Sequence, residues 1–574
     1  MQFRVPAGDP DSILWREAGG SDGAPSFVFL LGWCYRIGSP GVRPTDSEFA
    51  QMLARHRDGH PPADEETSGN YLLVVFDAAS GRIAVQPDHY GWSGVYFATA
   101  EGRVVVSNRS ALVASVVEAP LDGYSAFSML RGTHFPFGRS LFAGVQRVLT
   151  GCYLEIDGKR ARADLRRAIP LYVPVQKIGW EDATSLMAGT VRSLAARLTA
   201  GEQTVFDLTG GMDTRLLAAG IRGVNPPGIG DRFSWSVVGS EDLADVRVAQ
   251  EVADALAWPL RRLDRILPAE ADSAELAGDA VLSDGSLSIE AAFARLRFEA
   301  QEGGTFARAG GMGGELIRGW LWSQEFLRLG RTSRVDFAAL MNYRIRPSRA
   351  FEGSALGAEW PSLAQHDEAL LRPYRDIADA GGDRANAYKL DVLAQHKLIY
   401  LAYYWLAGVR RVRLPFVSWE FSRAVLSIPW PLRRTRRLLL LVFGALAPDL
   451  ARIPTSKGEP MVPLDLSSLP LYGKRAMSEV RRAIPFFVAR LRRRRARPAA
   501  PPPKPPDSWI ALVREARHVP SVVDPDFVRD ACDLRVPTAD RLRAFESLLT
   551  LELLFRGLPR LQNKVVFWGA DKLL

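Results

Sequence analysis

Short apolar runs separated by turn residues dominate the first 165 residues of the chain. Runs of β-branched and aromatic residues lie at 27–31, 71–77, 82–85, 94–97 and 104–106. The residues between them are rich in Gly, Asp and Ser, which favour turns. Runs this short between turn residues are typical of strands joined as hairpins. The pattern therefore predicts a β-rich, antiparallel front region.

Near residue 182 the apolar period changes to that of a helix. The residues that recur at helical spacing are Leu186, Val191, Leu194 and Leu198. A strand is then predicted at 204–208, a helix after it, a second strand at 233–238 and a second helix from about 244 to 256. Strands alternating with helices predict a parallel sheet covered by helices on both faces.

The remainder, from about residue 290, has a mainly helical pattern. Its longest apolar run, 438–447, is too short for a membrane span, which needs roughly 20 residues. We predict a buried helix there and no membrane partner. A basic, proline-rich stretch near 490–507 is predicted to be an exposed loop. With 574 residues, the chain is expected to be a multidomain α/β protein, with domains at 1–168 and 169–574.

Composition excludes several classes of protein. The chain is 47 % apolar and 24 % charged, so it is neither mostly disordered nor collagen-like. Lys and Arg exceed Asp and Glu by 73 to 64, and no nucleic-acid module is present, so we expect no nucleic-acid partner. The three cysteines form no CxxC pair and no signal peptide precedes them. We therefore expect a cytoplasmic protein with reduced thiols.

The most informative segment for chemistry lies at the end of the first predicted parallel strand. Leu208 ends the strand, Thr209, Gly210 and Gly211 follow, and a helix begins. Glycine allows a sharp turn and a close approach to a ligand. The N–H groups of a first helical turn form an anion site, and the hydroxyls of Thr209 and Thr214 add donors.

Asp213 places a carboxylate beside that anion site. It would repel a phosphate unless a cation lay between them, so Mg²⁺ is implied. The alternative is a plain Gly-Gly turn, with Asp and Thr as helix caps. The local spacing fits both interpretations equally.

Five segments, in order, resemble the asparagine synthetase superfamily, which includes asparagine synthetase, β-lactam synthetase and lasso-peptide cyclases. Thr-Gly-Gly-Met-Asp-Thr at 209–214 is similar to its Ser-Gly-Gly-x-Asp-Ser pyrophosphate loop. Residues 311–319 resemble Gly-x-Gly-(Ser/Ala)-Asp-Glu-(Leu/Val)-Phe-Gly, and 413–416 resemble Arg-Val-Pro-Phe. Residues 240–249 resemble the segment after the second strand, and 453–458 resemble the stretch that bears a late catalytic lysine.

The resemblance implies a fold, an activity and a set of site residues. The fold would be a parallel-sheet PP-loop ATP pyrophosphatase domain with a mostly helical C-terminal part. The activity would be a ligase that uses ATP to adenylate a carboxylate, releases pyrophosphate and couples the product to an amine. Implied nucleotide contacts are Leu208, Thr209, Gly210, Gly211, Asp213, Thr214, Val237 and Gly313. Asp213 and Glu315, which replaces the family's Asp, would hold Mg²⁺, and Lys457 would stabilise charge on the phosphates.

The front half resembles the family's class II glutamine amidotransferase domain. The matching segments lie at 69–77, 88–97 and 140–154, and they imply an Ntn-hydrolase-like αββα sandwich. That domain works through an N-terminal cysteine, whereas residue 2 here is Gln2. Cys34 and Cys152 are internal, and we expect Cys34 to be a core residue. We therefore predict a degenerate domain without glutaminase activity.

Two questions stay open at this level. The amine could come from ammonia, from the substrate itself or from a second substrate. The carboxylate could belong to a small molecule, as in an ammonia-dependent asparagine synthetase or an amidating enzyme of natural-product or polysaccharide assembly, or to a precursor peptide, as in a lasso-peptide cyclase. The alternative function is a catalytically impaired relative that binds nucleotide or peptide as a partner subunit. The Glu at 315 and a missing Glu near residue 411 motivate that alternative.

Overall fold

The described strands form two groups, a front group dominated by antiparallel sheets and a separate parallel sheet. The computed structural model describes residues 12–17, 25–39, 41–131, 133, 135, 138–169, 173–200, 203–224, 233–263, 277–278, 280, 307–318, 337, 341, 345, 362–380, 412–433, 436–463, 507–516, 526, 528–529, 532, 539–558 and 562–566. Residues 490–506 of the predicted basic loop lie outside the described residues, and so does Gln2. Within the described part of the chain, no helix combines the length and apolarity needed to cross a membrane.

The front region is built on two antiparallel sheets, as its apolar pattern predicts. The larger has six strands, in the spatial order β1 (Ser12–Arg16), β2 (Phe27–Arg36), β3 (Thr67–Asp77), β4 (Arg82–Pro87), β9 (Cys152–Asp157) and β10 (Arg162–Arg167). The smaller has three strands, in the order β6 (Arg103–Ser107), β5 (Tyr96–Ala100) and β8 (Gln146–Arg147).

Alternation along the strands divides the front region into layers. Val28 and Leu30 on β2 pack with Phe49 of helix α1 (Asp46–Arg57). Phe29 lies on the opposite face and packs with Phe97 of the smaller sheet. Helices α2 (Ser110–Val117) and α3 (Gly123–Leu130) add buried residues beyond that sheet. Because successive side chains of a strand point to opposite faces, one sheet supports both a helix layer and a second sheet.

The C-terminal part of the chain packs onto this front region. Helices α11 (Asp507–Arg514) and α12 (Ala539–Gly557) share a core with α2 and α3. Strand β16 (Gln562–Val566) pairs in parallel with β7 (Pro120–Asp122). Residues about 400 positions apart in the sequence therefore build one body.

The second body is a five-stranded parallel sheet. Its order is β13 (Leu260–Leu263), β12 (Phe233–Val238), β11 (Thr204–Asp207), β14 (Ala307–Ala309) and β15 (Val412–Arg413). Strands β12 and β13 thus follow one another on one side of β11, and β14 and β15 lie on its other side. In open sheets of this kind, ligands bind at the carboxyl ends of the strands, where the order reverses. Here that place lies between β11 and β14.

Helices around this sheet match the periodicity of the sequence. They are α4 (Trp180–Ala200), α5 (Met212–Val224), α6 (Ala244–Leu256), α7 (Leu363–Ala380), α8 (Trp419–Ser427), α9 (Trp430–Arg433) and α10 (Arg437–Leu446). The buried helix predicted at 438–447 is confirmed as α10. In the core, Trp235 stacks between Phe206 and Trp258, at ring distances of 5.0 and 4.4 Å.

One contact between the two bodies lies where β3 and the turn after β4 meet the segment 414–420. The side-chain oxygen of Asn70 accepts a hydrogen bond from the Leu414 N–H at 2.7 Å. The ring of His89 packs against that of Trp419, with 3.9 Å between the centroids. A buried amide and two aromatic rings therefore join the front sheet to the end of the parallel sheet.

Candidate functional site

The loop between β11 and α5 is held in its turn by its own threonines. The Thr209 N–H donates to the hydroxyl of Thr214, and the Gly211 N–H donates to the hydroxyl of Thr209, both at 3.1 Å. The two hydroxyls, which the sequence analysis assigned to a phosphate, therefore accept hydrogen bonds inside the turn itself. Helix α5 begins at Met212, directly after this turn.

The loop that follows β14 lies against the first loop so closely that only glycine fits. A Cβ on Gly311 would lie 2.4 Å from the Thr214 nitrogen, and a Cβ on Gly314 would lie 2.8 Å from the Asp213 Cβ. Gly313 has a φ of +90° and faces the Phe416 carbonyl oxygen. The backbone of one loop therefore packs directly on the backbone of the other, at the reversal of strand order.

A third segment closes the other side of the first loop. The Ser456 N–H donates to the Gly210 carbonyl oxygen at 3.0 Å. A Cβ on Gly210 would lie 2.7 Å from the Ser456 Cβ. Lys457 is the next residue, and it is exposed at the tip of a turn that Gly458 continues with a φ of +73°. The predicted lysine is thus one residue away from contact with the predicted pyrophosphate loop.

Each of the two predicted magnesium ligands has a partner inside the site. Asp213 Oδ2 lies 2.6 Å from Arg318 Nη2, and the two side chains are 20 and 22 % exposed. Glu315 Oε2 accepts from the Gly313 N–H at 3.1 Å. The cation that Asp213 requires beside an anion site is therefore, in this structure, a guanidinium.

A buried arginine underlies the same region. Arg215, in the first turn of α5, donates to the carbonyl oxygens of Leu450, Ile453 and Pro454 at 2.9, 2.8 and 3.1 Å. Burial lowers the pKa of Arg215 to about 10, which leaves it charged at neutral pH. Its guanidinium also lies over the ring of Phe443.

The structure brings together most of the predicted site residues, but two have buried side chains. Thr209 to Thr214, Gly313 to Glu315 and the turn of Lys457 belong to loops that touch one another. Leu208 is fully buried, and its N–H donates to Ser236. Val237 is also buried, whereas Val238 is 41 % exposed, because the side chains of β12 alternate. The accessible side chain at the end of β12 is therefore that of Val238, not that of the predicted contact Val237.

Sequence reasoning missed four charged residues at this edge. They are Asp207, Asp245, Arg308 and Arg318: Asp207 pairs with Arg308, and Asp245 Oδ1 would lie 3.0 Å from a Cβ on Gly210. The sequence signal for such residues is a charged residue next to buried apolar ones, as Arg318 is to Leu316 and Ile317. Long side chains reach partners far apart in sequence, and no local spacing encodes that reach.

The donor set at this edge suits Mg²⁺ better than a metal that needs a complete protein cage. Among the described residues, no three His, Cys, Asp or Glu side chains form a metal cluster. Asp213 and Glu315 supply two carboxylates on loops in contact. Mg²⁺ typically takes one or two carboxylates and completes its shell with phosphate oxygens and water. The residues present therefore fit that ion.

A Ser–His pair elsewhere has the wrong tautomer for a nucleophile and base. His366 Nδ1 lies 2.6 Å from Arg131 Nη1, and arginine only donates hydrogen bonds. The proton of His366 is therefore on Nε2, which donates to the Ser128 hydroxyl at 2.7 Å. That hydroxyl donates in turn to the Tyr124 carbonyl oxygen. The cluster ties α3 to α7 and cannot take a proton from Ser128.

Three titratable groups of the front region are buried. Cys34 is fully buried in the core, as predicted, and burial raises the pKa of its thiol. Burial also raises the pKa of Asp88 to about 7, although the N–H groups of Tyr90 and Ser93 donate to its carboxylate. Burial lowers the pKa of the neighbouring His89 to about 3. These groups are therefore uncharged in the fold at neutral pH or just below it.

Comparison with known proteins assigns no class to the chain. It matches no protein-family model, and no curated protein is significantly similar to it. The features of the molecule that bear on its function are therefore the parallel sheet, its reversed strand order and the three loops at its edge.

Proposed function

We propose that the chain is an ATP-dependent, amide-forming synthetase of the asparagine synthetase type. The observation that carries this proposal is the meeting of three loops at the reversal of strand order. The loops pack so closely at Gly210, Gly311 and Gly314 that a Cβ would clash there, and the Ser456 N–H donates to the Gly210 carbonyl oxygen. Open parallel sheets bind nucleotides at that position, and the sequence resemblance falls on the same three loops.

The reaction has two steps. A carboxylate oxygen of the substrate attacks the α-phosphorus of ATP, the bond to the β-phosphate oxygen breaks, and pyrophosphate leaves. An amine nitrogen then attacks the acyl carbon and loses a proton, and AMP departs as the amide forms. The start of α5 binds the pyrophosphate, because N–H groups at a helix start favour anions, and the internal hydrogen bonds of Thr209 and Gly211 hold the turn beside it.

Lys457 and the carboxylates of Asp213 and Glu315 have different electrostatic roles in this reaction. The Lys457 ammonium, exposed beside the loop, stabilises the negative charge that develops on the departing pyrophosphate. Asp213 and Glu315 would hold Mg²⁺, which neutralises phosphate charge when bound. Val238 offers an apolar surface at the end of β12 for the adenine base. Arg318 balances the charge of Asp213 from the neighbouring loop.

The substrate is a carboxylate of a small molecule or a peptide, including a precursor peptide for a lasso-type cyclase. The front region would be a degenerate Ntn-hydrolase-like domain that does not supply ammonia from glutamine, because Cys34 is buried and the pKa of its thiol is raised. Incubation with glutamine should release no glutamate above the blank. Release at an enzymatic rate would contradict this part of the proposal.

Pyrophosphate exchange tests the synthetase directly. Purified protein with MgATP, labelled pyrophosphate and a panel of L-aspartate, L-glutamate and a peptide with one side-chain carboxylate should incorporate label with at least one carboxylate. Lys457→Ala should lower that rate by about 10²–10³, the usual effect of removing a preplaced charge. Lys159→Ala, at an exposed front turn, is the matched control. No MgATP binding by the intact chain, or full exchange by Lys457→Ala, would overturn the proposal.

A second candidate function is nucleotide binding without catalysis. The observation that favours it is the contact between Arg318 and Asp213, since a guanidinium already occupies the position of a cation there. This candidate predicts MgATP binding with no exchange for any member of the panel. The same pair of measurements therefore separates the two functions.

A further inference from the structure

Arg215 stands out because it is buried and charged, and it donates hydrogen bonds to backbone carbonyl oxygens. Its guanidinium donates to three carbonyls between residues 450 and 454. The carboxylate that acts on its pKa is that of Glu251 on α6, which does so through space. Burying a charge is costly, and the three hydrogen bonds to one short segment offset part of that cost.

The segment that Arg215 holds is the one that leads into Lys457. From Leu450 it passes through Ile453 and Pro454 to Thr455, whose N–H donates to the Glu459 carbonyl oxygen at 2.9 Å. Glu459 is tied to Arg436 by an ion pair of 2.8 Å. The turn between them is thus closed on itself and anchored at its base by Arg215.

Two contacts join the segment 450–458 to the Thr209–Thr214 loop and the start of α5. One is the hydrogen bond from Ser456 to Gly210, which lies on the loop side. The other is Arg215 itself, which directly follows Thr214. The same helix start therefore presents the pyrophosphate loop on one side and fixes the lysine turn on the other.

We infer that Arg215 is a positioning residue, which sets the place of Lys457 relative to the Thr209–Thr214 loop. The inference rests on the proposed function for the role of Lys457, but the ordering of the turn can be measured without it. Arg215 touches no phosphate in this scheme. It acts through the backbone of residues 450–454, and the rate should fall more than the affinity for MgATP.

Two variants and one control isolate this role. Arg215→Lys keeps the charge but loses the planar fork of donors, and Arg215→Met removes the charge. Arg222→Lys is the matched control, because Arg222 lies two turns further along α5 and pairs at the exposed surface with Asp449 of the same region. Hydrogen exchange of the peptide that contains Ser456 should quicken at least tenfold in both test variants. Exchange in α6 and in the control should stay unchanged.

Trypsin provides a second measure, because Lys457 and Gly458 are exposed. Cleavage after Lys457 should rise at least tenfold in both Arg215 variants, with the melting midpoint within a few degrees of the parent for Arg215→Lys. Unchanged exchange and cleavage would overturn the inference. It would also be overturned by equal acceleration in α6, or by failure of Arg215→Lys to fold, because either would show a general structural role.

Acetylation of the Lys457 amine separates this inference from the proposed function. MgATP should protect Lys457 in the parent chain and much less in Arg215→Lys. If MgATP gives no protection in the parent, the proposed function fails, while the exchange and cleavage results still decide the role of Arg215. If protection is full in both chains and the turn stays ordered, Arg215 does not position Lys457.

Discussion

The large antiparallel sheet and the parallel sheet differ in where their ionisable side chains lie and in whether those side chains are charged. In the front sheet, β2 and β3 pair over ten residues, and the adjacent Asp88 and His89 are buried and close to neutral. In the parallel sheet the strands have only two to six residues, and charged side chains stand in the loops at their carboxyl ends. Asp213 and Arg318 there are partly exposed and paired across loops.

This difference follows from the geometry of pairing. Antiparallel strands are joined by tight hairpins, and most of their residues pack against other layers. Polar groups buried among those residues must therefore form local hydrogen bonds or be uncharged. Parallel strands all end at the same edge, where loops from distant parts of the chain meet. The front sheet and its helices therefore form a packing body, whereas the parallel sheet presents converging charged loops.

The largest expected effect breaks the parallel body at its closest backbone contact. In Gly311→Ala the new Cβ would meet the Thr214 nitrogen at 2.4 Å and the Asp213 carbonyl carbon at 2.5 Å. Neither atom belongs to a flexible side chain, so we expect a loss of about 3 kcal/mol or more in the free energy of unfolding. Chemical denaturation measures it.

The control for this prediction is a glycine with room around it. A Cβ on Gly189, inside α4, meets nothing within 4 Å, so Gly189→Ala should stabilise the chain by about 0.5–1 kcal/mol. A neutral result for Gly311→Ala would mean that the two loops do not pack as described.

Elements with a strong local period could be predicted from the sequence, whereas long-range contacts could not. The strand Phe233–Val238 and the helix Ala244–Leu256 match their predicted bounds, because an apolar period records which face is buried. The packing of α12 onto the front region has no such local signal. In the candidate site, the glycine loops were visible as turns, but the reach of Arg215 and Arg318 depends on tertiary distances.

The next effect concerns pH and the buried pair Asp88 and His89. The pKa of Asp88 is raised to about 7, so the fold keeps one proton there that the unfolded chain loses above about pH 4. The pKa of His89 is lowered to about 3. Below about pH 6.5 the unfolded chain therefore binds a proton at His89, whereas the folded chain does not. Between these limits the two proton counts cancel, and the pair adds almost no pH dependence to stability.

Replacing one of the two residues should reveal the pH dependence of stability that the other one causes. In Asp88→Asn, stability should fall as pH drops below about 6.5, by up to about 1.4 kcal/mol per pH unit. In His89→Phe, it should fall instead as pH rises from about 4 to 7, with a similar slope. Denaturation at a series of pH values from 4 to 8 measures both. Two variants with the same sign of slope would contradict the assignment.

A smaller effect tests the junction between the two bodies. Asn70→Leu keeps the size of the side chain but leaves the Leu414 N–H buried without its acceptor at 2.7 Å. We expect a loss of about 1–3 kcal/mol in the free energy of unfolding. Asn70→Asp keeps an accepting oxygen and replaces the Nδ2 group, which makes no hydrogen bond in this structure. At pH 4 burial keeps its carboxyl protonated and neutral, so at that pH it should lose less than Asn70→Leu. The reverse order would mean that the acceptor does not hold the junction.

The smallest effect compares two ion pairs of nearly equal length, one in each body. Arg103 and Glu101 lie 2.7 Å apart at the tip of a front hairpin and are 65 and 79 % exposed. Solvent screens such a pair, so Arg103→Ala should change the free energy of unfolding by less than about 0.5 kcal/mol. Arg318 and Asp213 are 2.6 Å apart but only about one-fifth exposed. Arg318→Met should therefore cost more and gain sensitivity to Mg²⁺, because a carboxylate that loses its cation attracts another. Paired melting curves with and without MgCl₂ measure both variants, and equal responses would show that burial at the loop edge does not set the strength of the pair.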